Sequence, residues 1–261
     1  MYKGDNMKKI AIITGASSGM GKEVALTLTK NYSVDEMWII ARDEKRLEEV
    51  ASHISIPVKI VSMDLTKADE FDKYEKLLKK EQPEVKILVN ASGYGKFEKT
   101  TNISEADNIG MIKLNCEALT RMCLKTLPYI SKDGKIVNFA SVAAFQPVPY
   151  INVYAATKAY VLSFSRALNA EVKKEEISVM AVCPFWTKTN FFKRAVSENE
   201  VVKKYIAMYE SKDVVNRLWR DLKKRKDVSK YGFIARGQVL LCKLLPHKLI
   251  MKIWMNQQKL N

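Results

Sequence analysis

A chain of 261 residues, 47% hydrophobic and 28% charged, can bury a substantial core and has the balance of a globular protein rather than a disordered one. No stretch approaches the roughly 18 apolar residues of a membrane-spanning helix, and residues 1–9 lack the apolar centre of a signal peptide. A cytoplasmic setting is therefore expected, with the residues before Met7 read as a dispensable leader. The net charge of +15 is uneven: residues 190–261 hold 17 Lys and Arg against 6 Asp and Glu. Such a surplus attracts phosphorylated ligands, anionic lipid or nucleic acid without choosing among them.

Cys116, Cys123, Cys183 and Cys242 form no CxxC pair, and the only histidines are His53 and His247. Zinc ligation is thus not expected, and free, mostly buried thiols are. Neither histidine lies in a hydrolase-like nucleophile context.

In chain order, strands are predicted at Lys9–Thr14, Met37–Ala41, Val58–Met63, Lys86–Asn90, Lys135–Phe139 and Ile177–Val182. Helices are predicted between them, at Gly21–Asn31, Asp43–His53, Ala68–Lys80 and Ser104–Leu127. Strands alternating with helices imply an α/β fold with a parallel sheet covered on both faces. No linker or repeat marks a boundary, so residues 1–261 read as a single domain. Within it, residues 8–189 form a core, 190–230 an irregular helical insertion over the site, and 231–261 a basic, apolar end.

Two motifs carry chemistry. The first strand runs into Thr14-Gly15-Ala16-Ser17-Ser18-Gly19-Met20-Gly21 and then a helix. Glycines there admit a pyrophosphate to the backbone, and the helix N-terminus offers it unpaired N–H groups and a positive dipole. The second strand ends Ala41-Arg42. An acid at that point would accept from a ribose 2′-OH, whereas arginine accommodates a 2′-phosphate, a solvated surface arginine being the alternative. Further on, Tyr154-Ala155-Ala156-Thr157-Lys158 is YxxxK, which on a helix projects phenol and ammonium from one face. A phenol with a pKa near about 10 is a poor proton shuttle, and a fixed positive charge beside it is expected to lower that value.

With its TGxxxGxG loop, Ser141 thirteen residues before Tyr154, and Asn115 earlier, the chain resembles the short-chain dehydrogenase/reductase family, in a bacterial-type subgroup. The resemblance is strong over Lys8 to Thr189 and implies a Rossmann-type, doubly wound sheet. It also implies an NADP(H)-dependent oxidoreductase acting on a small-molecule carbonyl or alcohol, and a homo-oligomer, dimer or tetramer. Tyr154 would be the acid/base, Ser141 would polarise the substrate oxygen, Lys158 would tune Tyr154 and hold the nicotinamide ribose, and Asn115 would hold a relay water.

The cofactor set implied in the same way comprises Gly15, Ser17, Ser18, Gly19, Met20, Gly21 and Arg42 from the first βαβ unit. Asp64 and Leu65 follow the third strand. Asn90, Ala91, Ser92 and Gly93 stand where the family has NNAG, and Pro184, Thr187 and Thr189 where it has PGxxxT; Tyr154 and Lys158 complete it. Phe185 replaces the glycine of PGxxxT, so this loop must avoid positive φ. Some family members acting on steroid or long-chain acyl substrates also lack that glycine, so the resemblance implies a lipophilic substrate. Specificity is assigned to Gly93–Asn102, Ala143–Ile151 and Phe185–Ser229.

At the end of the chain no acid follows Asp227, and Pro246 is placed to open a helix. Leu249, Ile250, Ile253 and Trp254 then form one apolar stripe among lysines, which suits peripheral contact with an anionic membrane. The competing expectation is that the stripe packs on the protein's own body or a subunit partner. No recognition motif supports nucleic-acid binding, and none is expected.

Overall fold

The computed structural model describes residues 7–196 and 201–260. The leader before Met7 and residues 197–200 of the third specificity segment lie outside the described residues. The chain forms β1 (Lys9–Thr14), α1 (Gly19–Thr27), β2 (Glu36–Ala41), α2 (Glu44–Ala51), β3 (Val58–Ser62), α3 (Ala68–Glu81) and β4 (Glu84–Asn90). Next come α4 (Glu105–Ile112), α5 (Leu119–Thr126), β5 (Ile130–Phe139), α6 (Asn152–Glu171) and β6 (Ser178–Val182). The last part holds β7 (Thr187–Lys188), α7 (Phe191–Ala195), β8 (Tyr209–Glu210), α8 (Ser211–Lys223), β9 (Val228–Ser229), α9 (Phe233–Leu244) and α10 (His247–Gln258).

Among the described residues, seven strands make one parallel sheet in the order β3-β2-β1-β4-β5-β6-β9. The six predicted strands are its first six in sequence, and the two-residue edge strand β9 was not foreseen. The strands read as continuous apolar runs because both faces are covered. Ile10, Ile12, Trp38, Ile40, Val85 and Leu88 point to the layer of α3, α5 and α6. Their neighbours Ala11, Ile13, Met37, Ile39, Ile87 and Val89 point to the layer of α1, α2 and α8. The order reverses direction between β1 and β4, and the crevice outside the carboxyl ends of strands at such a switch point is where ligands bind in open α/β sheets.

The predicted helix Ser104–Leu127 is α4 and α5 joined by a π-helical stretch, Lys113–Ala118. All four cysteines are free and buried. Two expectations for the C-terminal third need correction. Residues 190–230 are not one insertion over the site: α8 covers the sheet, burying Val214, Val215, Leu218 and Leu222 against α1. Its Trp219 Nε1 donates to Thr27 Oγ1 at 3.0 Å. The helical period of these apolar residues is clear once the lysines around them are discounted as a solvated face.

The stripe in α10 is also divided. Ile250 and Trp254 are buried on the body, with Trp254 Nε1 donating to the Pro149 carbonyl at 3.0 Å. Gln258 fastens the same helix, its Oε1 accepting from the Lys203 and Lys204 amides. Leu249 and Ile253 remain exposed. Among the described residues no helix is long and apolar enough to cross a membrane.

Candidate active site

Two cavities meet at the carboxyl end of the sheet. The first is a cleft of about 1110 Å³ running from the β1–α1 loop across the ends of β2 and β3. Its floor is set by glycines that no other residue can replace without movement. Gly15 has φ +69°, and a Cβ on it would lie 2.8 Å from the Ser92 amide; a Cβ on Gly21 would lie 2.3 Å from the Gly15 carbonyl. Close packing of loop, helix and neighbouring strand thus requires glycine at both places.

Ser17, Ser18, Gly19 and Met20 line this cleft, with Arg42, Asp64, Leu65, Ala91, Ser92 and Gly93. The exposed Arg42 guanidinium makes no hydrogen bond to another described residue, which leaves its donors open to a ligand. Asp64 accepts from the Thr66 amide (3.0 Å) and hydroxyl (2.7 Å). Burial pushes its carboxyl up, but those hydrogen bonds and the nearby charge of Arg42 outweigh it and hold the pKa below the ordinary value.

Asn90 does not reach the cleft. Its Nδ2 donates to Asn138 Oδ1 at 2.9 Å and to Cys123 Sγ at 3.3 Å. Its place at the end of a strand turns the side chain into the sheet layer, where it braces β4 against β5. The cofactor contact expected of Asn90 is therefore corrected to a structural one.

The second cavity is a chamber of about 480 Å³ lined by Ser141, Tyr154 and Lys158 of the predicted catalytic set, while Asn115 lies behind it. Met20, Ala91, Gly93, Thr189 and Phe191 line both cavities, so the two communicate. Tyr154 and Lys158 project from the first turns of α6 into the junction, and Ser141 reaches it from the end of β5. Ser141 caps the short 3₁₀ turn that follows, its Oγ accepting from the Ala143 amide at 3.1 Å.

Lys158 is buried and its Nζ donates to the Phe139 carbonyl at 2.7 Å, 5.7 Å from the Tyr154 ring centroid. Burial lowers its pKa to about 8. Asn115 sits in the π-helical stretch, a wider turn that often marks functional sites. Its Nδ2 donates to the Tyr94 carbonyl and Thr157 Oγ1, and its Oδ1 accepts from the Tyr94 amide.

The lowering of the Tyr154 pKa expected from Lys158 is not what this arrangement gives. The phenol lies among apolar rings, 5.4 Å from Phe191 and 6.2 Å from Phe97 between centroids. That burial pushes its pKa up to about 12, and hydrogen bonding with Ser141 offsets only part of the rise. Desolvation wins because the ammonium is directed at the Phe139 carbonyl rather than at the phenol oxygen.

Pro184, Thr187 and Thr189, expected at the cofactor, line the chamber, and Thr189 also lines the cleft; Phe185 takes no positive φ. Thr189 Oγ1 accepts from the Phe191 amide at 3.2 Å. Several site residues were not singled out by any motif, although Gly95 and Arg194 fall within the assigned specificity segments. Gly95 lets its loop cross Tyr154, since a Cβ there would lie 2.8 Å from the Tyr154 ring. Arg194 stacks over Tyr94 at 3.7 Å and lines the cleft. Ile234, Leu241, Ile250 and Trp254 of α9 and α10 close the chamber, although the three assigned specificity segments stop at Ser229. The spacing of Gly93 and Gly95 was a usable signal for the loop; nothing local announced the others.

Comparison with known proteins shows the family and the fold. The family model of the short chain dehydrogenases matches residues 9–200. The chain belongs to the short-chain dehydrogenase/reductase family. It is 32% identical over 179 residues to an uncharacterised oxidoreductase of Staphylococcus epidermidis, a match spanning 68% of this chain and 77% of the relative. It is 32% identical over 203 residues to very-long-chain 3-oxoacyl-CoA reductase-B of Danio rerio, spanning 74% of this chain and 64%, just under two thirds, of that longer protein. Among solved structures, a short-chain dehydrogenase from Sphingobium yanoikuyae in complex with NADPH superposes with a TM-score of 0.77 at 28% identity, covering 89% of this chain and 92% of that one. Other solved neighbours are complexes with NADH or NAD. The protein is thus an oxidoreductase by family.

Proposed function

We propose that the protein is an NADP(H)-dependent oxidoreductase that moves a hydride between the nicotinamide and a carbonyl or secondary alcohol on a lipophilic substrate. The observation that carries this reading is the junction, where Ser141, Tyr154 and Lys158 line an apolar chamber as it opens into a glycine-floored cleft. The cleft fits a dinucleotide. Gly15 and Gly21 keep clear the space a Cβ would fill, and the N-terminus of α1 would present its first amides to a pyrophosphate. Arg42, with Ser17, would hold a 2′-phosphate. The bound dinucleotide supplies the hydride chemistry.

The chain's own residues supply the proton and the orientation. A phenol held near 12 keeps its proton at neutral pH, which suits donation to a carbonyl oxygen as negative charge builds there. The Ser141 hydroxyl donates to the same oxygen and stabilises that charge. Lys158, its buried Nζ held by the Phe139 carbonyl, would hold the nicotinamide ribose. Both amide protons of Asn115 are committed, so the second lone pair of its Oδ1 is what remains to hold a relay water near Lys158.

The chamber supports a steroid-like or acyl ketone, since the aromatic rings of Phe97, Trp186, Phe192 and Trp254 are part of its wall. The likeness to a very-long-chain 3-oxoacyl-CoA reductase of Danio rerio favours the same class. Assembly as a homodimer or tetramer belongs to the reading, with the exposed Ile112, Leu124 and Tyr160 of α4 to α6 offering an apolar face. Sedimentation velocity checks that part.

The test of the whole is NADPH consumption over ketosteroids, 3-ketoacyl thioesters, aldehydes and small diketones. Turnover is expected to concentrate among bulky or long-chain carbonyls and to exceed turnover with NADH. Tight NADPH binding without turnover on any of them would replace this reading with a non-catalytic nucleotide binder.

A further inference from the structure

The two C-terminal helices present surfaces that the interior does not account for. In α9, Ala235, Val239 and Cys242 are buried, and at i, i+4 and i+7 they make one inward stripe. On the opposite side Phe233, Leu240 and Leu244 form a second apolar stripe, exposed at 89%, 56% and 70%. At 100° per residue this outward stripe lies half a turn from the inward one. An amphipathic helix of a globular protein has one apolar face; α9 has two.

The other faces of the pair are equally distinct. On one flank of α9, Ile234, Leu241 and Leu245 line the substrate chamber. Arg236 and Lys243 stand exposed on the other flank. In α10, Ile250, Trp254 and Gln258 are buried, while Lys248 and Lys252 are exposed on the opposite side and Lys259, just past the end of the helix, is also exposed. Ile253, also exposed, lines the chamber beside Leu241. The mouth of the chamber is therefore rimmed by exposed apolar side chains and flanked by lysines on a segment with no acid after Asp227.

We propose that this end of the molecule docks on an anionic lipid bilayer, with Phe233, Leu240 and Leu244 entering the interface and the lysines of α10 on the headgroups, so that lipophilic substrate enters the chamber from the membrane. The choice of occupant follows from charge. A second copy of the chain would meet this face in an isologous pairing, setting its lysines against the same lysines with no carboxylate of the segment to neutralise them. Lipid phosphates meet the lysines with opposite charge, and the apolar stripe replaces water with acyl chain. The entry route rests on the proposed lipophilic substrate; the docking does not, and it is measured without turnover.

The experiment is flotation of the full-length protein with vesicles of phosphatidylcholine alone and with vesicles containing phosphatidylglycerol, at low and high salt. The protein is expected to float with the anionic vesicles at low salt, and to float poorly with neutral ones. Replacing Lys248, Lys252 and Lys259 by Ser should weaken binding about a hundredfold, at roughly one lysine's surface attraction each. The variant Phe233→Ser/Leu240→Ser/Leu244→Ser should lose flotation while keeping its melting temperature and NADPH affinity, because these side chains are exposed. Phe233→Ser alone, at the most exposed position, guards against a folding defect in the triple variant. Absence of flotation with anionic vesicles at low salt overturns the proposal, as does equal flotation of the parent and the apolar-stripe variant. An oligomer that the apolar-stripe variant dissociates also overturns it, since a second copy would then cover the face. NADPH turnover with no flotation would leave the enzymatic reading standing and remove only the docking.

Discussion

The cleft and the chamber share the space around Tyr154 but are made of different material. The cleft is built from backbone: glycine turns after β1 and β4, amides at the start of α1, and a few side chains at strand ends. Its glycines, with Ser17, Ser18, Arg42, Asp64 and Ser92, lie within a few residues of a strand terminus, so short sequence motifs specify them, while α4 and Arg194 complete the wall from further along the chain. The chamber is built from side chains that arrive from Phe97, from the loop after β5, from 185–192, from 204–206 and from α9 and α10, more than 150 residues apart along the chain. Its shape depends on packing among aromatic rings, for which no fixed spacing exists. Backbone sites are therefore suited to a constant ligand, and side-chain chambers to a ligand that changes from one relative to the next.

The largest expected effect falls on the boundary between the two. Tyr154→Phe removes the hydroxyl and keeps the ring, so kcat should fall about a thousandfold, within the usual range for a lost general acid. NADPH affinity, measured by fluorescence titration, should barely change. Near-native kcat on a good substrate would remove Tyr154 from the proton-transfer role and leave the boundary chemically empty.

Lys158 tests the boundary through stability. Its pKa in the folded protein is about 8 against an ordinary 10.5. Between those values the unfolded chain binds more protons than the folded one, so stability rises as pH climbs from about 8 towards 10.5. Below pH 8 the full cost of burying the ammonium is present. Lys158→Met should therefore raise the stability at pH 7 by up to about 3 kcal/mol, at 1.36 kcal/mol per pKa unit, seen as a higher melting temperature, and the gain should shrink by pH 10. The same variant should bind NADPH more weakly if Lys158 holds the ribose. A gain that is constant with pH would show that packing, and not the buried charge, sets the difference.

Arg42→Ala acts in the cleft alone. Losing a charge-assisted contact to the 2′-phosphate should weaken NADPH binding roughly tenfold to a hundredfold, with NADH little affected. Equal losses for both cofactors would show that Arg42 does not read the phosphate.

The same contrast explains what could be read from the sequence. The six main strands and the glycine loop were legible because burial on both faces makes continuous apolar strands and close approach demands glycine. Tyr154, Ser141 and Lys158 were legible as a spacing, but the Tyr154 pKa was not. Its direction depends on Phe97 and Phe191 surrounding the phenol and on Phe139 drawing the ammonium away, and none of these contacts is local. Asn90 was misassigned because a strand-end residue faces either the cleft or the sheet layer, and one residue of register decides which. The helix α8 was read as part of an insertion because its lysines and arginines masked the period of Val214, Leu218 and Leu222.

The smallest expected effect isolates the chamber. Leu241 lines the mouth from α9, yet half of its surface is exposed, so its replacement costs the fold little. Leu241→Ser removes apolar contact from a long substrate without touching the cleft. At about 25 cal/mol per Å2 of apolar surface, a loss near 1 kcal/mol is reasonable for a half-buried leucine, equivalent to about a fivefold rise in KM. The rise should be seen with long-chain or bulky carbonyls and not with small diketones, which need not reach α9. The NADPH constants and kcat should hold, because Leu241 touches neither the cleft nor the Ser141–Tyr154 junction. A change that appeared equally for short and long substrates, or in the NADPH constants, would mean that the two cavities are coupled through the wall and that the division between backbone site and side-chain chamber is not functional.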